Sequence, residues 1–447
     1  METVSQQSMN FGDLPLNKFM KRLTVLSAMG LFLDGYDLTV ISVALLFIKT
    51  QFHPSPSELS MVGSAAVVGM LFGSLVFGNL TDRFGRKMMY LLDLAFFVVF
   101  AVLAAFSQNM AELIIFRFLL GIGLGADYPI SSTITAEFAP QRKRGILMVT
   151  TISFWVIGAL VSYAVSLLLI HVGPDAWRWM LASGAIPALL VIWGRRSIPE
   201  SPRWLVASGQ AERGMAVAQK IAVDAGATLN TENNAGLDSQ PVKRLASFTR
   251  LFSKEIFAMT FFVSMAWLLF DIGNYATIVF SPTIFKMLKG STMTSSILAS
   301  MAMQAFGLVG IAIVWLLVDK VGRKWIQSIG FLALGIVFII SGLVRHPAFG
   351  LFLMLFLILS VVDQGPGQLT YVYAGEVFPT SIRASGHGFA TAMSRVGALL
   401  GISVVPFFIA HVGLSTALIV FGICDLLGFA LTWWLAPETK GKALPTD

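Results

Sequence analysis

The sequence predicts an all-α membrane protein of twelve transmembrane helices, arranged as two pseudo-symmetric six-helix bundles. Three observations predict this. The 447 residues are 56% hydrophobic and only 12% charged, whereas soluble domains carry about 25% charged residues. Apolar stretches long enough to cross a bilayer, about 20 residues each, recur about twelve times. Short charged motifs at the ends of these stretches also return at a nearly constant offset in the second half of the chain.

The apolar stretches lie near 22–48, 59–80, 88–107, 110–138, 144–170, 177–196, 256–285, 293–318, 325–345, 350–378, 386–411 and 414–436. They give an N-terminal bundle at 22–196, a loop at 197–255 and a C-terminal bundle at 256–436, with tails at 1–21 and 437–447. A polar lead of about 20 residues before an over-long apolar run argues against a cleavable leader. One set of loops, "DRFGRK", "PQRKRG", the 197–255 loop, "DKVGRK" and "PTSIRAS", holds most of the Lys and Arg. The alternate set, from "FHPSPSE" to "HVGLS", holds few. The positive-inside rule then places both termini and the basic loops in the cytoplasm of a plasma membrane, or an inner membrane if the source is bacterial. The net charge of +7 sits in these short clusters and gives no reason to expect a nucleic-acid partner. A single cysteine, Cys424, excludes an intrachain disulfide. In the long loop, "SPRWLVASGQAERGMAVAQKIA" has helical spacing and "TLNTENNAGLDSQP" reads as a flexible linker.

The internal repeat pairs Asp82 with Asp319, Glu137 with Glu376, Pro199 with Pro437 and Asp34 with Asp271, at offsets of 237 to 239. Two like-built halves with a site between them suit alternating access. From about Asn17 to Gly441 the chain resembles a major facilitator superfamily transporter of the sugar-porter type. The residues that carry the resemblance are "GNLTDRFGRK", "IPESPRW", "GEVFPTSIR" and "PETKG", in order and at the matching spans. It implies a cytoplasmic gate in which Arg83, Arg86, Arg144, Arg323 and Arg383 bridge Asp82, Glu137, Glu200, Asp319, Glu376 and Glu438. Bidentate Arg–carboxylate pairs would give that gate its geometry.

Ionisable groups inside spans are costly and mark functional positions. Asp34 and Asp37 in "GLFLDGYDLTVIS" sit three apart, so on a helix they share one face. The resemblance to proton-coupled sugar porters implies that Asp37 pairs with Arg117 of "FRFLLGIGLG" and exchanges the coupling proton. Asp34 instead fits the D-x-x-D pair of proton-coupled phosphate porters, as do Asp127 and Tyr128 in "GADYPISSTI". In "WLLFDIGNY", Trp267, Asp271 and Tyr275 are four apart and stack on one helical face. Asp34, Asp37, Arg117, Asp127 and Asp271 are therefore the proton-coupling candidates, with Asp127 and Asp271 expected to face a central cavity.

Neither resemblance carries over whole. Phosphate porters have glutamine, asparagine and lysine where this chain has Trp155, Gly367 and Arg395. Hexose porters have a glutamine pair, an asparagine and a stacking tryptophan where it has Leu269, Phe270, Tyr275 and Arg395. A guanidinium near a cavity suits a carboxylate, sulfonate or phosphate, unless it pairs with Asp363 or Asp271. Arg395, Trp267, Tyr275, Tyr128, Trp155 and Gln368 are the substrate-binding candidates, and a small organic acid fits them best. "DLPLNKF", "ATAMSR" and "APETK" resemble bacterial metabolite transporters.

The expectation is a monomeric secondary transporter in contact with lipid. It would carry a small solute with protons as the coupling ion, using no other cofactor, no metal and no enzymatic chemistry. Sugar, phosphate or organic-cation transport and uncoupled facilitation stay open. A membrane sensor is disfavoured by tails of about 20 and 10 residues. "GIGLG" lies within a span, so its glycines let helices approach rather than bind a dinucleotide. Asp93 and Asp425 read as structural, the five histidines as scattered near span ends, and "GPG" at Gly365 as a loosened point in span ten.

Overall fold

The computed structural model describes residues 8–229, 237, 248–286, 288, 293–344 and 348–445. Most of the expected flexible linker lies outside these residues. Eleven helices among them are long and apolar enough to cross a bilayer. Arg383–His411, with 29 residues, makes the twelfth span. In order the spans are Lys18–Phe52, Pro56–Phe84, Arg86–Ala105, Met110–Phe138, Arg144–Leu169 and Ala176–Arg195, then Phe257–Lys286, Met293–Leu317, Arg323–Leu343, Phe349–Glu376, Arg383–His411 and Leu414–Leu435.

The starts of several spans follow from local sequence. Asn17 caps the first span by accepting from Met20 N, and Asn109 caps the fourth by accepting from Glu112 N. Ser55 and Glu58 form a reciprocal capping box ahead of the second, with Pro56 in its first turn. Span six breaks at Gly184, and span ten breaks at Asp363, immediately before Gly365 and Pro366. A proline removes one backbone donor and crowds the preceding turn, which is why the loosened point falls there.

Small residues set how closely the spans pack. A Cβ on Gly121 or Gly125 of span four would overlap the carbonyls of Ala66 and Met70 on span two, so "GIGLG" is a backbone-to-backbone contact. Gly35 and Gly158 bring spans one and five together, and Gly397 and Gly401 bring spans seven and eleven together, in the same way. Side chains such as Phe72, Trp193, Leu190 and Trp434 are largely exposed. They form the apolar outer belt that a bilayer would cover. The two halves meet through spans two and four against eleven, five against eight, and four and five against ten.

Among its described residues the 197–255 loop contributes two α-helices, Pro202–Ala207 and Ala211–Asp224, with a turn at Gly209 where φ is +84°, and a 3-10 helix at Phe248–Phe252. Phe11, Leu14, Ile198, Val206, Ile221 and Leu229 bury together beneath the N-terminal half. Among the described residues the only strands are the two-residue pair Ser8–Met9 and Thr228–Leu229, running parallel.

Candidate functional site

Between the halves lies a cavity of about 110 Å³. Tyr128, Trp155, Trp267, Asp271, Tyr275, Gln368 and Arg395 all line it, so the six substrate-binding candidates read from sequence share one space. It is also lined by Asn274, Gln304 and Gln364. Sequence reasoning missed these three amides because its search was tied to the positions where hexose porters place theirs. The signal that could have found them is position: Asn274 lies three residues after Asp271, and Gln304 is polar within an apolar span.

Arg395 is the electrostatic centre of this cavity. Its guanidinium stands over the Tyr128 ring at 4.7 Å and the Tyr275 ring at 5.1 Å, and it donates to the Tyr275 hydroxyl. Its ion pair is with Asp271, at 3.9 Å, and Arg395 Nε and Asp271 Oδ2 have no hydrogen-bond partner. Of the two partners weighed from sequence, Asp271 is the one that pairs, while Asp363 accepts from the Gln364 amide at 2.6 Å. Within the N-terminal half, Asp34 accepts from the Tyr128 hydroxyl and from Trp155 Nε1 at 2.8 Å. Asp34, Tyr128 and Arg395 thus connect the first half to the second through hydrogen bonds and a cation–π contact. His387, expected near a span end, lies buried against Trp267 and Tyr371.

Asp37 and Arg117 form a buried bidentate pair, with Nη1 and Nη2 at 3.3 and 3.0 Å, and Arg117 Nε donates to Val62 O. Asp127 does not face the cavity. Its carboxylate accepts from Arg195 Nη2 at 2.7 Å, and the same guanidinium reaches Asp93 at 3.2 Å and stacks on Tyr90. Arg195 ends span six in "WGRRS" and is not among the candidates read from sequence. Asp93 and Asp127 stand inside spans and need a counter-charge, and the last turn of span six can provide it.

On the basic-loop face the halves are joined by a network that contains part of the expected set of Arg–carboxylate bridges. Arg86 pairs bidentately with Glu137 (3.0 and 3.3 Å), and Arg323 does so with Glu376 (2.8 and 3.1 Å), each within its own half. Arg383 crosses over to Glu137 at 3.1 Å. Asp82 bridges Arg86 at 3.3 Å and Asp319 bridges Arg323 at 2.9 Å, as expected, and the two also accept from Ser385 N at 2.7 Å and Ile146 N at 3.0 Å, so each repeat aspartate caps a span of the opposite half. Glu200 and Glu438 bridge no arginine among the described residues. Their oxygens accept the first backbone N–H groups of spans three and nine, at 2.9 to 3.2 Å, where the helix dipole favours a carboxylate. Arg144 donates to Lys442 O instead of to a carboxylate, and the exposed Arg83 lies over the Phe84 ring. On the adjoining short helix, burial lowers the Arg203 guanidinium from its usual value and Glu137 opposes the shift.

The likeness to known proteins is whole-chain. The family described as "Sugar (and other) transporter" matches residues 23–446. An inner membrane metabolite transport protein of Escherichia coli K12, YgcS, is 32% identical over 97% of this chain and 94% of its own. The arabinose-proton symporter of Bacillus subtilis 168 is 30% identical over 95% and 94%. The proton:xylose symporter XylE of E. coli, solved with 6-bromo-6-deoxy-D-glucose bound, superposes with a TM-score of 0.86 at 25% identity, over 95% of this chain and 98% of that one. The chain is an integral membrane transporter and no enzyme, and it belongs to the sugar-porter family of the major facilitator superfamily.

Proposed function

We propose that the chain is a proton-coupled symporter of a small hydroxylated organic acid. The observation that carries this reading is Arg395, whose Nε is unpartnered at a cavity also lined by amides. A carboxylate would complete the guanidinium. Asn274, Gln304, Gln364 and Gln368 suit hydroxyl groups, and Trp155 and Trp267 suit the apolar face of a carbon skeleton. The second reading, a neutral sugar, is favoured by the 3.9 Å Asp271–Arg395 pair, which already balances the cation, and by the sugars named for the arabinose-proton symporter and XylE.

Proton coupling is supported by Asp37 and Arg117, which hold each other in a dry interior. Protonating Asp37 releases Arg117, and a state in which water reaches the pair takes the proton back. With the basic loops in the cytoplasm, the contacts among Asp82, Glu137, Asp319 and Arg383 form the inner gate, closed in this structure. Each proton moved inward is worth about 2.3 kcal/mol per 100 mV. Purified protein is first screened by thermal shift against sugars, sugar acids and other carboxylates, since ligands of the folded state raise its melting temperature. The acids that stabilise wild type are expected not to stabilise Arg395→Ala, and stabilisation by neutral sugars alone would reject the acid. In vesicles, Asp37→Asn is expected to keep exchange of the selected compound and lose uphill accumulation; unchanged accumulation would reject coupling through Asp37.

A further inference from the structure

The C-terminal half carries two carboxylates that the mechanism above does not use. Asp425 of span twelve is 1% exposed, and neither of its oxygens has a hydrogen-bond partner. Asp363, at the break of span ten, lines the central cavity. A chain of polar groups leads away from Asp363. Gln364 Nε2 donates to Asp363 at 2.6 Å, Gln368 Nε2 to Gln364 Oε1 at 3.0 Å, and Ser153 Oγ lies 3.3 Å from Gln368 Oε1. Ser153 belongs to the other half, so this chain spans the interface.

We propose that Asp363 is a second proton-binding residue, and that the amide chain reports its charge state to span five of the opposite half. With Asp363 ionised, both amides point their N–H groups toward it. That leaves Gln368 Oε1 facing Ser153, whose single proton is already committed to Val149 O at 2.6 Å. When Asp363 takes a proton from cavity water, its O–H donates to Gln364 Oε1. Both amides then turn over, and Gln368 Nε2 donates to Ser153 Oγ while Ser153 still donates to Val149 O. Every group then has its partner, and the contact between the halves tightens. By reciprocity, parting spans five and ten weakens the hold of Asp363 on its proton, so opening on the basic-loop side expels it there.

Asp425 supports this assignment by its isolation. An ionised carboxylate buried with no donor is strongly disfavoured. Asp425 therefore stays neutral, and Asp363, which reaches the cavity, is the one that exchanges. The ionisable groups on the surrounding spans are few. Asp271 and Tyr275 lie on span seven, Arg395 and His387 on span eleven, Cys424 beside Asp425, and Tyr128 and Tyr163 on the first half. Span nine has Arg323 and Lys324 at its end, and span eight has none. Arg395 is engaged by Asp271, which leaves Asp363 with an amide for a partner.

The test is an infrared pH titration of the protonated-carboxyl band in purified full-length protein without any substrate. Asp363→Asn is expected to remove a titrating component, and Asp425→Asn a component present at every pH. Ser153→Ala is expected to keep the Asp363 component and move its midpoint to lower pH by up to about one unit. Asp37→Asn should leave that component in place. A titrating band unchanged in Asp363→Asn, or a Ser153→Ala midpoint equal to that of wild type, overturns the proposal. So does stabilisation by sodium chloride over potassium chloride that Asp363→Asn abolishes, since that marks a sodium site. Ser153→Ala keeps the test decisive if Asp363→Asn fails to fold. The inference depends on the proposed symport only for the use of this proton in transport, so a failure of uptake assays and a failure of this titration are separate results.

Discussion

The two halves of this transporter are alike at the basic-loop face and unlike inside the membrane. At the face, Arg86–Glu137 matches Arg323–Glu376, Asp82 matches Asp319 in capping the opposite half, and Glu200 matches Glu438. Inside, the N-terminal half meets three of its buried carboxylates with cations, Arg117 for Asp37 and Arg195 for both Asp93 and Asp127, while Asp34 accepts from Tyr128 and Trp155 and keeps one oxygen without a partner. Among the described residues, the spans of the C-terminal half have only the long Asp271–Arg395 pair, give Asp363 an amide and leave Asp425 without a partner. The repeat persists where the two halves close against each other and cap helices. It has diverged where charge is handled, so most of the close ion pairs inside the membrane lie in one half and the loosely partnered carboxylates mostly in the other.

The sharpest way to break this comparison is to remove the cation that two of those close pairs share. Arg195→Leu would strand two carboxylates that share one guanidinium in a fully buried setting. Breaking a buried pair costs about 3–5 kcal/mol, so the variant should lose most of its folded population. Size-exclusion chromatography and thermal unfolding in detergent read this directly. Adding Asp93→Asn and Asp127→Asn should restore much of the loss. A single variant that melts with wild type would mean that the cluster is less dry than its burial implies.

That cluster also marks where the sequence stopped being informative. The spans, their order and the repeat were legible because bilayer length and loop charge act on composition alone. The cavity aromatics and Arg395 were legible because a bulky or charged group on the inner face of a span has few other places to go. Asp127 was not. The phosphate-porter likeness of "GADYPISSTI" put it at the cavity beside Tyr128, but one residue along a helix turns a side chain by about 100°, away from the cavity and onto Arg195. The motif glutamates misled differently. "PES" and "PET" place Glu200 and Glu438 near arginines, yet the nearer claim came from the free N–H groups of spans three and nine, which no side-chain count displays.

Arg395 offers a middle test, because it holds a similar charge in a looser setting. It borders an open cavity and its acid partner is 3.9 Å away, so water can replace what the side chain loses. Arg395→Ala should fold and insert in the membrane, and should reduce uptake of the selected compound at least about tenfold, equivalent to about 1.4 kcal/mol. Arg395→Lys should recover little, because an ammonium cannot reproduce the planar fork. Folding as severely damaged as in Arg195→Leu would erase the distinction between the close pairs and the loose one.

The smallest effects test the likeness rather than the difference. Glu200→Gln and Glu438→Gln each keep the side-chain length but remove the negative charge that faces a helix N-terminus. Each should cost about 1 kcal/mol or less. Because Glu200 accepts from Arg86 N and Lys87 N just as Glu438 accepts from Arg323 N and Lys324 N, the two losses in melting temperature should be nearly equal, and they should add in the double variant. Unequal losses would show that one cap also bears load across the interface. The candidate would then be Glu438, whose strand of chain continues to Lys442, where the backbone carbonyl accepts from Arg144 of the opposite half at 3.0 Å.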